Sequence, residues 1–333
     1  MRPRSESRPR RRRPRVLTLA GLAALLGLAV LCAGVWAAYS GSSSSAGNEL
    51  VSAPDWVAPT ASASLIGKSQ GGVPGYIRQG GTYNVYANVS DSGNPPSGVS
   101  SVAGGLGTIT TGQSAAALSA GSFAIGGAAY SYRSANLTAN ATLAAGTYSY
   151  SLTSKDVLGA ARLQTGFTVI VDNTAPTAVE IQTTNKSGNA VGRPEIGDSV
   201  VYTFSERIDP GSILSGWTGT TTSVVTRITN ATTDALTVFN AANTTQLPLG
   251  SVGLGRNDYV TASATFGSTG TASTMVQSGN TITVTLGTAS SGPSTASSTG
   301  TMTWSPSASA YDLAGNAQST ATRTETGSAD KEF

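Results

Sequence analysis

At 333 residues with 11% charged side chains, the chain has room for two domains of ordinary size, whose surface polarity must come from Ser, Thr, Asn and Gly. The net charge of +3 belongs to the N-terminus: residues 1–15 hold eight Arg and one Glu, leaving 12 basic and 16 acidic side chains in residues 16–333. An acidic body offers no basic patch for nucleic acid, and a chain with no His and one Cys excludes His-based triads and ordinary zinc sites.

Taken in chain order, residues 1–15 read as an Arg-rich cytoplasmic n-region, and residues 16–38 as a signal peptide or signal-anchor helix. The second segment is 23 residues without a charge, long enough to span a bilayer. The Arg cluster stays on the cytoplasmic side, so the body is expected outside the membrane. The run ends Gly34-Val35-Trp36-Ala37-Ala38-Tyr39-Ser40, with Gly47-Asn48 shortly after. This stretch resembles the signal peptides of the TasA-type biofilm-matrix proteins. The resemblance is confined to the N-terminus and implies cleavage between Ala38 and Tyr39 by a dedicated, endoplasmic-reticulum-type signal peptidase. Trp36 departs from the small residue that standard signals carry three places before the cut. A general peptidase would instead cut after Ala37. Without cleavage the helix anchors the body to the membrane. The expected location is therefore extracellular or cell-surface, with the membrane a partner at least transiently. Cys32, the sole cysteine, follows Leu31 where a lipoprotein signal needs a small residue, which argues against lipid attachment.

Residues 39–54 form a Ser/Gly-rich tether, flexible by composition. Residues 55–172 follow as a first β-module. Val85, Ala87 and Val89 alternate along one face, as do Tyr148, Tyr150 and Leu152, and again Phe167, Val169 and Val171. Such period-two patterns predict half-buried antiparallel strands, and the breaker cluster Asp91-Ser92-Gly93-Asn94-Pro95-Pro96 predicts a loop.

Residues 173–327 form a second, longer module with strands expected over 200–204, 224–228 and 281–286. Its extra length is expected in residues 240–279, as a long hairpin or loop insertion. Residues 328–333 are expected to be a C-terminal tail. Helical signal is weak, because Gly and β-branched residues interrupt every window.

Two phrases recur. Ala58-Pro59-Thr60 and Ala175-Pro176-Thr177 open the modules, and Asp156-Val157-Leu158-Gly159 and Asp312-Leu313-Ala314-Gly315 lie near their ends. The junction Val171-Asp172-Asn173-Thr174-Ala175-Pro176-Thr177 resembles that between tandem bacterial immunoglobulin-like domains of surface proteins. Tyr311-Asp312-Leu313-Ala314-Gly315-Asn316-Ala317 is similar to their closing loop. Thr203-Phe204-Ser205-Glu206-Arg207-Ile208-Asp209 resembles a strand-and-loop of another such group. The first module departs at Ala160, where Asn is usual. The resemblance implies an all-β protein of two tandem immunoglobulin-like β-sandwiches after an N-terminal hydrophobic helix, and is nearly silent on ligand.

No acidic pair sits in a recognisable catalytic motif, so the chain is read as non-enzymatic and without a cofactor. Asp156, Asp172 and Asn173 are calcium candidates if they converge at the junction, against the simpler reading that each caps a turn. Trp217 and Trp304 are candidates for stacking on sugars, against the simpler reading that they plug the core. The leading expectation is an exported surface or matrix protein acting in adhesion, spacing or assembly. Assembly with further copies of itself could use the tether 39–52, added to an open sheet edge. The alternative is a module binding wall or host polysaccharide.

Overall fold

The computed structural model describes residues 55–333. The n-region, the apolar segment, the Ala38–Tyr39 cut and the tether lie outside the described residues. Among the described residues no helix is long and apolar enough to cross a membrane.

The strands fall into two sheets. The first contains β1 (Thr60–Lys68), β2 (Tyr76–Ile77), β3 (Thr82–Ser90), β4 (Val99–Gly105), β5 (Ala116–Ile125), β6 (Ala128–Ser134), β7 (Leu137–Thr138), β8 (Gly146–Asp156) and β9 (Ala161–Val171). Their order is β1-β3-β6-β5-β4-β8-β9-β2, with β7 on β3. All neighbours are antiparallel except β2 and β9, which pair in parallel. Residues from strands far apart on this path share one buried cluster: Ile66 of β1 and Val85 of β3 with Tyr150 of β8 and Val169 of β9. The sheet therefore curls back on itself around a common core. Where β1 faces β9 without a ladder, the Gln164 amide substitutes for one. It accepts from Ala61 N at 2.5 Å and donates to Ala61 O at 3.0 Å. This covers backbone groups on the outer edge of β1, a position otherwise open to a stray strand.

The second sheet contains β10 (Ala178–Thr184), β11 (Ser199–Phe204), β12 (Thr222–Thr229), β13 (Ala235–Asn240), β14 (Gln246–Gly253), β15 (Ala264–Phe266), β16 (Ser273–Ser278), β17 (Thr281–Thr285), β18 (Thr303–Ser305) and β19 (Arg323–Thr324). Their order is β10-β11-β17-β16-β12-β13-β14-β18-β19, with β15 on β12. Among the described residues one four-residue helix, α1 (Pro210–Ile213), interrupts the strands. Asp209 caps it by accepting from Gly211 N at 3.0 Å, and Pro210 supplies a first-turn φ that needs no donor.

Three expectations need revision. β3 is buried on both faces: Val85, Ala87 and Val89 face the main core, while Tyr86 packs with Ile125 and Tyr130 beneath the β5–β6 hairpin. Residues 240–279 are not a loop insertion; β13 and β14 do pair as a hairpin across 241–245, and the segment supplies β14, β15 and β16, integral to the second sheet. Their periodicity is masked because Gly250, at φ +85°, breaks the alternation between Leu249 and Val252, both buried. Residues 328–333 do not hang free. Asp330 bridges Gly300, and Phe333 is buried with its ring edge-on to Tyr259 at 6.0 Å.

Candidate functional site

The chemistry-bearing side chains gather where the chain passes from β9 to β10. Asp172 follows β9 directly, and its N–H bonds Ile77 O at 3.0 Å, extending the β2–β9 pairing. Its Oδ1 then accepts from Thr174 N at 2.9 Å, which turns the chain toward Pro176. Asn173 is spent on structure: Oδ1 accepts from Gln79 N at 2.8 Å and Nδ2 donates to Leu143 O at 2.8 Å.

The loop 312–316 closes over this turn. Asp312 Oδ1 accepts from Gly315 N at 2.6 Å and Asn316 N at 2.7 Å, and its Oδ2 accepts from Asn316 Nδ2 at 2.7 Å. Gly315, at φ +93°, takes a backbone conformation that a Cβ disfavours. Asn316 Nδ2 also donates to Asp172 O at 2.9 Å, so one amide ties the closing loop to the junction.

The strongest tie is ionic. Lys68, at the end of β1, sends Nζ to Asp209 Oδ2 at 2.7 Å and to Leu313 O at 2.7 Å. Both partners are buried, Lys68 at 7% and Asp209 at 4% exposure, so the pair has little screening. Gly72, at φ +89°, leaves room for it: a Cβ there would overlap Asp209 Oδ2.

Beside this pair, Asp172, Glu206 and Asp312 bring three carboxylate oxygens within 4.8 Å of one another. Burial, followed by repulsion from Asp172 and Asp312, pushes the Glu206 carboxyl up to about 7. Glu206 Oε1 is buried without a hydrogen-bond partner among the described residues. Burial also raises Asp312, against the bonds it receives from Asn316 and Gly315. Three acids at this spacing can share a proton or take up a cation, and these oxygens would be its ligands.

Of the sequence's calcium candidates, only Asp172 enters this cluster. Asp156 lies at the end of β8, where Oδ1 accepts from Ala160 N at 2.7 Å, and its Oδ2 has no partner among the described residues. The difference from Asp312 follows from one residue: Asn316 supplies the side-chain donor that Ala160 lacks. Glu206 and Asp312 were visible in the quoted motifs. Lys68 was not, because a single cation ending an apolar strand carries no pattern.

The two sugar-stacking candidates are both buried. Trp304 is fully enclosed, edge-on to Tyr202 at 5.2 Å and Phe204 at 5.0 Å, with Nε1 donating to Leu249 O at 2.7 Å. Trp217 is 7% exposed and donates Nε1 to Thr220 O at 2.5 Å. Neither offers a free ring face, which counts against glycan stacking at these positions. Trp56, 80% exposed, is the one Trp of the described residues on the surface.

No protein-family model matches the chain, and a search of curated proteins finds no significant match.

Proposed function

We propose that the chain is an exported, non-enzymatic surface or matrix protein whose two modules act as a stiff spacer in adhesion or assembly. Each sheet is read as an immunoglobulin-like β-sandwich. The observation that carries the reading is the junction: a buried Lys68–Asp209 pair and the Asn316–Asp172 bond fasten elements far apart in sequence across a short connection. Independent modules on a hinge need no such pair, because burying two charges is costly unless their geometry is held. The low charge and the Thr-rich strands agree with an exported β protein. The Gln164 cap on β1 narrows the routes by which a strand could add to that edge.

The test combines location with phenotype. The native host is fractionated, the recovered protein is sequenced from its N-terminus, and deletion strains are scored for adhesion and matrix cohesion. The reading expects surface or matrix recovery, and a deletion defect that the intact chain restores and a Lys68→Met chain restores poorly. Recovery from the cytoplasm, or a deletion with no effect on either property, would overturn it.

A further inference from the structure

A second group of acids lies away from the junction. Glu325, Asp330 and Glu332 place three carboxylate oxygens within 4.8 Å of one another. Glu332 is 1% exposed. Its Oε2 accepts from Thr183 Oγ1 at 2.6 Å, whereas Oε1 is buried and has no hydrogen-bond partner among the described residues. A carboxylate taken out of water and turned into two others, with one oxygen unanswered, is expensive unless something positive sits against it.

Among the described residues no side-chain cation pairs with these acids. The ion pairs among the described residues are Lys68–Asp209, Arg193–Glu195 and Arg256–Asp258, and none includes these acids. Glu180, bonded to Thr326, adds further negative charge beside Glu325.

The backbone that carries Asp330 and Glu332 is pinned, which limits how far the acids can separate. Gly300 N donates to Asp330 O at 2.8 Å, Glu332 N donates to Tyr259 Oη at 2.8 Å, and Phe333 N donates to Thr183 Oγ1 at 3.2 Å. Phe333 itself is part of the second core.

We infer that Glu325, Asp330 and Glu332 form a site for a hard divalent cation, calcium by the chemistry of its donors, which fastens residues 325–333 to the second sheet. All the donors are oxygen, which disfavours softer metals. Carboxylates can bind calcium through one or both oxygens, and exposed Asp330 leaves room for water to complete the shell. The site stands apart from the proposed function, and only the affinity expected below rests on that reading's extracellular location.

The experiment is calcium titration of the full-length chain, read by calorimetry and by the thermal unfolding midpoint, beside Asp330→Asn, Glu332→Gln and Glu206→Gln. Open modules outside cells bind calcium with Kd of about 0.1–1 mM. At ten times Kd the midpoint is expected to rise by about 2–4 °C. Asp330→Asn and Glu332→Gln should each bind one calcium equivalent fewer than the wild type, whereas Glu206→Gln should retain it. Asp330→Asn should also raise the cation-free midpoint, since it removes a repelling charge from beside Glu325 and Glu332. Asp330 is exposed, so its variant reports even if Glu332→Gln folds poorly. Absence of calcium binding by the wild type overturns the inference and leaves a shared proton as the neutralising charge. Equal stoichiometry in the wild type and Asp330→Asn also overturns it.

Discussion

Lys68 and Asp209 stand 141 positions apart in sequence and meet at 2.7 Å, joining the last residue of β1 to the cap of α1. Removing one partner leaves the other buried and unpaired. Lys68→Met is expected to cost about 3–5 kcal/mol in urea unfolding. The double variant Lys68→Met/Asp209→Asn should recover part of that loss, a coupling of about 1 kcal/mol or more. Additive losses would show that the pair contributes nothing as a pair.

Gly72 protects the same contact. Gly72→Ala meets both a positive φ and the Asp209 carboxylate, and a loss of about 2 kcal/mol or more is expected. In an Asp209→Ala background the overlap disappears, and only the backbone cost of about 1–2 kcal/mol should remain. Chemical denaturation of the four chains separates the two contributions.

The loops after β8 and before β19 make a natural comparison. Ala160→Asn should give Asp156 Oδ2 the donor that Asn316 gives Asp312, stabilising the fold by about 1 kcal/mol. A crystal structure of the variant should show the new bond. Unchanged stability would mean that water already satisfies this oxygen.

Glu206 sets a pH dependence at the junction. Its carboxyl rises from an ordinary 4.5 to about 7 on folding, so between these values the folded chain holds a proton that the unfolded chain has released. Stability from this group is complete below pH 4.5, falls as pH rises toward 7, and is level above that. In chelator, Glu206→Gln should flatten the decline and gain about 1 kcal/mol at pH 8 after allowing for partial exposure. Urea midpoints across pH 4.5–8 test this.

Much of the strand pattern was legible where one face meets a core. In β8, Tyr150, Leu152 and Ser154 are buried while Thr153 and Lys155 are exposed, the alternation expected of a half-buried strand. β3 hid its second buried face because Asn84 and Tyr86 look solvent-facing in sequence, yet Asn84 donates to Ser134 O and Tyr86 meets Tyr130. The site was legible only in part, for the same kind of reason. Motifs mark local turns, and they located Asp172, Glu206 and Asp312 without showing that these carboxylates converge. Lys68 depends on long-range packing that no local pattern encodes.

The Asn316 amide, shared between Asp312 Oδ2 and Asp172 O, has a mechanical meaning. A pull applied across the two sheets is not borne by the peptide connection at 172–177 alone. Part of it passes sideways, through Asn316 and through the Lys68–Asp209 pair, into strands β1 and β9 and the loop before β19. The junction thus has load paths in parallel, and it would yield in steps, the polar ties failing before the sheets are peeled.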